Sequence, residues 1–289
     1  MIEARDPLTV AGAAALLVFA SFGTWWVVAA RRRQRQRAEL RQRPLSVRQR
    51  VLVEKGLPWF RHLPADLRLR LEGAMQVFLA EKTFEACGDL DEVSEEMKLV
   101  VAAQACLLVV NRPDEHYDRL RTILVYPSAF SVPVEESLGD DIEVIDEEER
   151  LGESWDQGSV ILAWDSVLNG AANFEDGLNV VLHEFAHQLD QANGPADGAP
   201  ILGGSSDYKS WARVFRAAYG THQRKTVRGK ETVLDEYGAE DPAEFFAVAT
   251  ETFFERPHEL VAEYPELFEE LARFYRLDPR EWKPRERKR

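Results

Sequence analysis

Residues 179–190 read NVVLHEFAHQLD, and the arrangement His183-Glu184-Phe185-Ala186-His187 within them decides most of the reading of this chain. Val180, Val181, Leu182, Phe185, Ala186 and Leu189 make the stretch an apolar helix with no acid beside the motif until Asp190. On a helix, residues i and i+4 stand one above the other, so both imidazoles reach one ion about 2.0–2.1 Å away. Glu184 adjoins the first histidine and is placed to face water held by that ion. A zinc ion brings such water to a pKa of about 7, where a carboxylate can take its proton. With six histidines in 289 residues, a chance occurrence of this motif is expected in about 2% of such chains. The alternative is two core histidines with Glu184 capping a neighbour, but a helix this apolar seldom buries three polar groups without a purpose.

A catalytic zinc needs a third protein ligand and an open fourth position. Asp190 and Asn193 stand where a metzincin would have its glycine and third histidine, which excludes that class. His62, His116, His222 and His258 lie in no recognisable ligand context, so a carboxylate from a second helix is expected. Residues 235–254, DEYGAEDPAEFFAVATETFF, supply one. Asp241-Pro242 reads as a helix start, with Asp as cap and Pro at the first position. Glu244 and Glu251 are seven apart and share a face, so one can ligate while the other orients a ligating histidine. Glu244 could instead close a capping box on Asp241. Tyr237, just before the helix, can donate its hydroxyl to an oxyanion or be an ordinary turn tyrosine.

Outward from these segments, the spacing predicts a helix over 65–82 and a second, capped by Ser94 and apolar nearly all round, to about Val110. TILVY at 122–126 and SVILAW at 159–164 read as strands. Residues 51–65 read as a connector, and Gly170 with its neighbouring asparagines as a turn. Residues 135–156 hold eleven acids and one base, a solvated loop or a negative rim on a cleft. No linker divides the body, so 51–277 is expected to form one α+β domain, helix-rich with a small sheet, followed by a charged tail over 278–289. Two cysteines, Cys87 and Cys106, make neither a disulfide framework nor a Cys-rich zinc module.

The net charge is −14, yet residues 1–50 hold ten arginines against three acids, so the rest of the chain carries the whole acidic excess. Such a body is a poor partner for nucleic-acid phosphates. After a short segment, 1–7, residues 8–30 are 23 residues without a charge. As a helix they would span about 35 Å, against a hydrocarbon core of about 30 Å. Trp25 and Trp26 fall near one end, and a basic juxtamembrane segment, 31–50, follows. The expectation is a single-pass anchor in the bacterial inner (cytoplasmic) membrane, with the body facing the cytoplasm.

FEACG at 84–88, AAQACLL at 102–108, ILVYP at 123–127, NVVLHEFAHQLD at 179–190 and YGAEDPAEFFAVATETFF at 237–254 together resemble the zinc-peptidase family of the Mlc titration factor A. That family's catalytic core is similar to the anthrax lethal factor, a gluzincin-type zincin. The resemblance implies a zincin-like fold and one Zn2+ on His183, His187 and Glu244, with Glu184 as general base and Tyr237 as oxyanion donor. It further implies that SVILAW is an edge strand pairing with a peptide substrate, and that cleavage is aminopeptidase-like. The expected function is hydrolysis of peptide bonds. Its rivals are a regulatory module that captures a protein partner such as a transcriptional repressor, and a purely structural zinc site. The complete set His183, Glu184, His187, Tyr237 and Glu244 argues against pure binding, because a binder has no chemical need for Glu184. A structural site favours four protein ligands, usually with cysteine.

Overall fold

A computed structural model describes residues 7–128 and 158–283; the acidic stretch 135–156 lies outside them. Three short strands, β1 (Thr83–Ala86), β2 (Thr122–Tyr126) and β3 (Ser159–Ala163), form a parallel sheet in that order. Thr83 pairs with Thr122, and Thr122 with Ser159. Around the sheet lie α1 (Pro7–Arg41), α2 (Val47–Gly56), α3 (Ala65–Glu81), α4 (Glu95–Leu107), α5 (Trp164–Ala172), α6 (Val180–Asp190), α7 (Ser205–Thr226), α8 (Pro242–Glu255), α9 (Pro257–Glu263) and α10 (Pro265–Tyr275). The protein is thus a helix-rich α+β structure with a small three-stranded sheet.

Helix α4 is its centre. Ser94 accepts the Met97 amide to start it, and every residue from Leu99 to Leu107 is buried. Helices α2, α3, α5 and α6 all pack on it. A helix with no polar face can only be stable when surrounded, which is why AAQACLL reads the same way in one dimension and in three. Buried Ile123, Val125, Val160 and Leu162 alternate with half-exposed neighbours, so one face of the sheet closes this core.

Two local readings change. The stretch read as a connector begins inside a helix: Ser46 and Gln49 form a capping box, and α2 runs from Val47 to Gly56. Gly170 lies inside α5 rather than in a turn; a Cβ there would come within 3.1 Å of the Asn179 Cα. This glycine serves the close approach of α5 to the start of α6.

The N-terminal expectation is corrected. Among the described residues, no helix is long and apolar enough to cross a membrane, so neither a spanning helix over 8–30 nor single-pass placement in the inner membrane stands. Three of the arginines read as a topology signal, Arg33, Arg37 and Arg41, have partners within the protein. Helix α1 runs on unbroken to Arg41. Arg37 grips Glu81 at 2.7 Å and also reaches Asp118, Arg33 binds the same two acids at 3.1 Å, and Arg41 donates to the Pro113 carbonyl at 2.8 Å. Gly73 of α3 lies directly under the Arg41 backbone, where no Cβ would fit.

Candidate metal centre

Asn179 caps α6 by accepting the Leu182 amide at 3.1 Å, and the helix then carries His183, Glu184 and His187 into the interior. His187 and Glu184 are buried, and the His183 side chain keeps 15% of its surface. Helix α8 faces α6. Asp241 accepts the amides of Ala243 and Glu244 at 2.7 and 2.9 Å, so the cap is the aspartate alone. The Glu244 carboxylate turns instead to the histidines: its oxygens lie 3.0 Å from His183 Nε2 and 3.3 Å from His187 Nε2. The two Nε2 atoms are 3.1 Å apart.

These three residues are the group among the described residues able to hold a metal ion. The fit follows from distance and chemistry. Ligands about 2.0–2.1 Å from a tetrahedral ion lie roughly 3.4 Å from each other, close to the separations found here. Two imidazole nitrogens and one carboxylate oxygen are a donor set that zinc favours. Burial and charge show the same demand for a cation. Burial alone would lower the His183 pKa, but hydrogen bonds to Glu244 and Glu251 carry it well above the usual imidazole range. Burial dominates at His187 and lowers its pKa. Glu244, despite burial, is held down to about 2 by the two histidines. The cluster thus keeps an ionised carboxylate against two imidazoles, an arrangement that favours a positive charge among them.

The remaining expected residues fall around this cluster. Glu251, one helical stretch beyond Glu244, accepts from His183 Nδ1 at 2.8 Å, which turns the opposite nitrogen toward Glu244. Of the two acids sharing that face, Glu244 closes the triad and Glu251 stands behind it. Tyr237 lies in a 3-10 turn, Glu236–Ala239, with its ring centroid 5.9 Å from that of His183. The other four histidines lie elsewhere: His116 near Arg41, His222 against the Asp235 carbonyl, His258 against the Lys283 carbonyl, and His62 at the end of a 3-10 helix.

Sequence reasoning missed what holds Glu251. The Asn179 backbone amide donates to Glu251 Oε2. The Asn179 side-chain amide donates to Gln104 on α4 at 2.8 Å and to Glu255 on α8 at 3.0 Å. All four side chains are buried. The one visible signal was Gln104, a lone polar residue in an apolar helix.

Comparison with known proteins agrees with this geometry. An uncharacterized protein of Synechocystis, slr2042, is 41% identical over 244 residues, 83% of this chain and 88% of its own. The Mlc titration factors A of Salmonella agona and Salmonella typhi are each 32% identical over 230 residues, 78% of this chain and 84% of theirs. The glucose-regulated metallo-peptidase M90 family matches residues 29–276, a span that takes in α6, the tyrosine turn and α8. With the His-Glu-x-x-His helix and its facing glutamate inside the matched span, the chain belongs to the glucose-regulated metallopeptidase family M90.

Proposed function

We propose that this protein is a zinc-dependent peptidase, with zinc on His183, His187 and Glu244. The observation that carries the reading is the convergence of His183 Nε2, His187 Nε2 and the Glu244 carboxylate within about one ligand separation, with Glu184 next to the first ligand on the same helix. Bound zinc supplies Lewis acidity, polarising the scissile carbonyl and acidifying water. The Glu184 carboxylate takes the proton of the attacking water and returns it to the leaving amine nitrogen. The Tyr237 hydroxyl donates to the carbonyl oxygen as negative charge develops there. Glu251 accepts from His183 Nδ1, which keeps the Nε2 lone pair on the metal side. Among the described residues β3 pairs only with β2, so its other edge is offered to an extended peptide. Short peptides cleaved from the amino end are the expected class.

The name of the Salmonella relatives, Mlc titration factor A, favours a second reading, in which the protein binds a regulatory protein. One variant separates the two. Glu184→Gln should retain stoichiometric zinc and lose about 10²–10⁴-fold in peptide cleavage, measured by digestion of a peptide library with metal analysis of the same sample. Undiminished cleavage by zinc-loaded Glu184→Gln would sink the general-base role of Glu184; no cleavage by the zinc-loaded parent protein would sink the peptidase assignment, and an Mlc-type repressor captured equally by both forms would support the binding role.

A further inference from the structure

The turn that bears Tyr237 is too short to hold itself. Its internal bonds are Tyr237 N–H to Asp235 Oδ1 at 3.0 Å, Gly238 N–H to the Asp235 carbonyl at 3.2 Å and Glu240 N–H to the Tyr237 carbonyl at 3.1 Å. Helix α7 supplies the rest from one face. His222 Nε2 donates to the Asp235 carbonyl at 2.9 Å. The Tyr219 hydroxyl donates to the Glu240 carbonyl at 3.0 Å, with the Ala239 carbonyl 3.2 Å away. Gln223 Nε2 donates to Tyr219 at 2.7 Å and to the Ala239 carbonyl at 3.2 Å. Positions 219, 222 and 223 share a face by helical spacing, so one rigid element grips the turn at both ends.

The grip is aimed. His222 holds the carbonyl of Asp235, whose carboxylate in turn holds the Tyr237 amide. On the far side Gly238 packs against Val248 of α8, where a Cβ would come within 3.1 Å. The same α7 face meets Phe245, the residue after Glu244: its ring lies 5.4 Å from Tyr219 and 6.0 Å from His222. One helix therefore bears on both the tyrosine turn and the start of the glutamate helix. His222 is fully buried and, among the described residues, its Nδ1 has no hydrogen-bond partner. A leucine would fill that space without burying an unsatisfied nitrogen. What the imidazole adds is a donor held in a fixed direction, since a carbonyl can only accept.

We propose that α7 is the positioning element of Tyr237 and that His222 is the positioning residue through which it acts. The inference rests on the oxyanion role given to Tyr237 above, and its test keeps the two apart. In the full-length zinc-loaded protein, acting on the best-cleaved member of a quenched-fluorescent peptide library, His222→Leu should lower kcat about tenfold, because small misplacements of a reacting group are costly. KM should stay within about threefold and zinc content should not change. His222→Gln, which keeps a donor at similar reach, should recover most of the loss. On a Tyr237→Phe background, His222→Leu should cost nothing further, since its effect passes through the hydroxyl already removed. Independently of activity, hydrogen exchange of the amides at 235–240 should quicken in His222→Leu. Unchanged exchange there, or kinetic losses that multiply across the double variant, would overturn the proposal. If Tyr237→Phe alone leaves kcat intact, the oxyanion role falls, and the grip on the turn stands or falls by exchange alone. Should His222→Leu fail to fold, Tyr219→Phe carries the same cycle.

Discussion

Glu244 and Glu251 show how two identical side chains on one helix face receive different work. Glu244 sits in the first turn of α8, where its carboxylate meets both Nε2 atoms. Glu251 is two turns deeper, buried, and of the two histidines meets His183 alone, at Nδ1. Burial raises the Glu251 pKa, whereas Glu244 is held low by two histidines. Substitution should separate them. Glu244→Ala removes one of the three proposed metal donors and should lose bound zinc on dialysis. Glu251→Ala should keep it, with affinity weakened about 10–100-fold, the usual scale for loss of a histidine-orienting partner. Metal analysis of both folded variants side by side tests this; full zinc in Glu244→Ala with an empty Glu251→Ala would reverse the roles. The seven-residue spacing shows that both acids share a face, but which of them reaches both Nε2 atoms depends on where α6 crosses α8.

At the scale of elements, helix α6 is secured at its start. Asn179 caps α6 through Oδ1 while its amide nitrogen ties α4 and α8 together through Gln104 and Glu255. A cap alone is worth about 1 kcal/mol, but here its loss also strands buried acceptors. Asn179→Ala should therefore destabilise the protein by about 2–4 kcal/mol, read from chemical denaturation. A loss confined to the capping value would show that the side-chain bonds to Gln104 and Glu255 contribute nothing. Helix α7 teaches a related point. Trp211, Val214, Phe215, Ala218 and His222 form a buried stripe at helical spacing, so its helicity is written in the sequence. Its three bonds to the tyrosine turn are not, because the partners are backbone carbonyls, which carry no residue code.

For the molecule as a whole, the docking of α1 is the feature most open to solution chemistry. Burial would raise the Glu81 pKa, but Arg37 and Arg33 overcome it and hold the carboxyl down from 4.5 to about 2. A carboxylate with a depressed folded-state pKa adds stability that is complete above about 4.5 and disappears as pH falls toward about 2. Melting temperature should accordingly drop through that window, and Glu81→Gln should flatten the drop while lowering stability at neutral pH. Equal slopes in the two proteins would show that these ion pairs do not couple α1 to the fold. The sequence by itself determined helix α6 with its His-Glu-x-x-His motif, the central burial of α4, the strands β2 and β3 and the start of α8, because each is a local pattern of apolar period, cap or motif. It also placed Glu184, His183 and His187 on one helix, since i to i+4 geometry needs no tertiary information. Only the tertiary structure decided that Glu244 rather than Glu251 meets both Nε2 atoms, that Asn179 and Gln104 stand behind Glu251, and that His222 backs the tyrosine turn. It also decided that Arg33 and Arg37 pair with Glu81 and Asp118. Charge runs and lone polar residues are ambiguous along the chain because their meaning is set by partners far away in sequence, and those partners meet only when the helices pack.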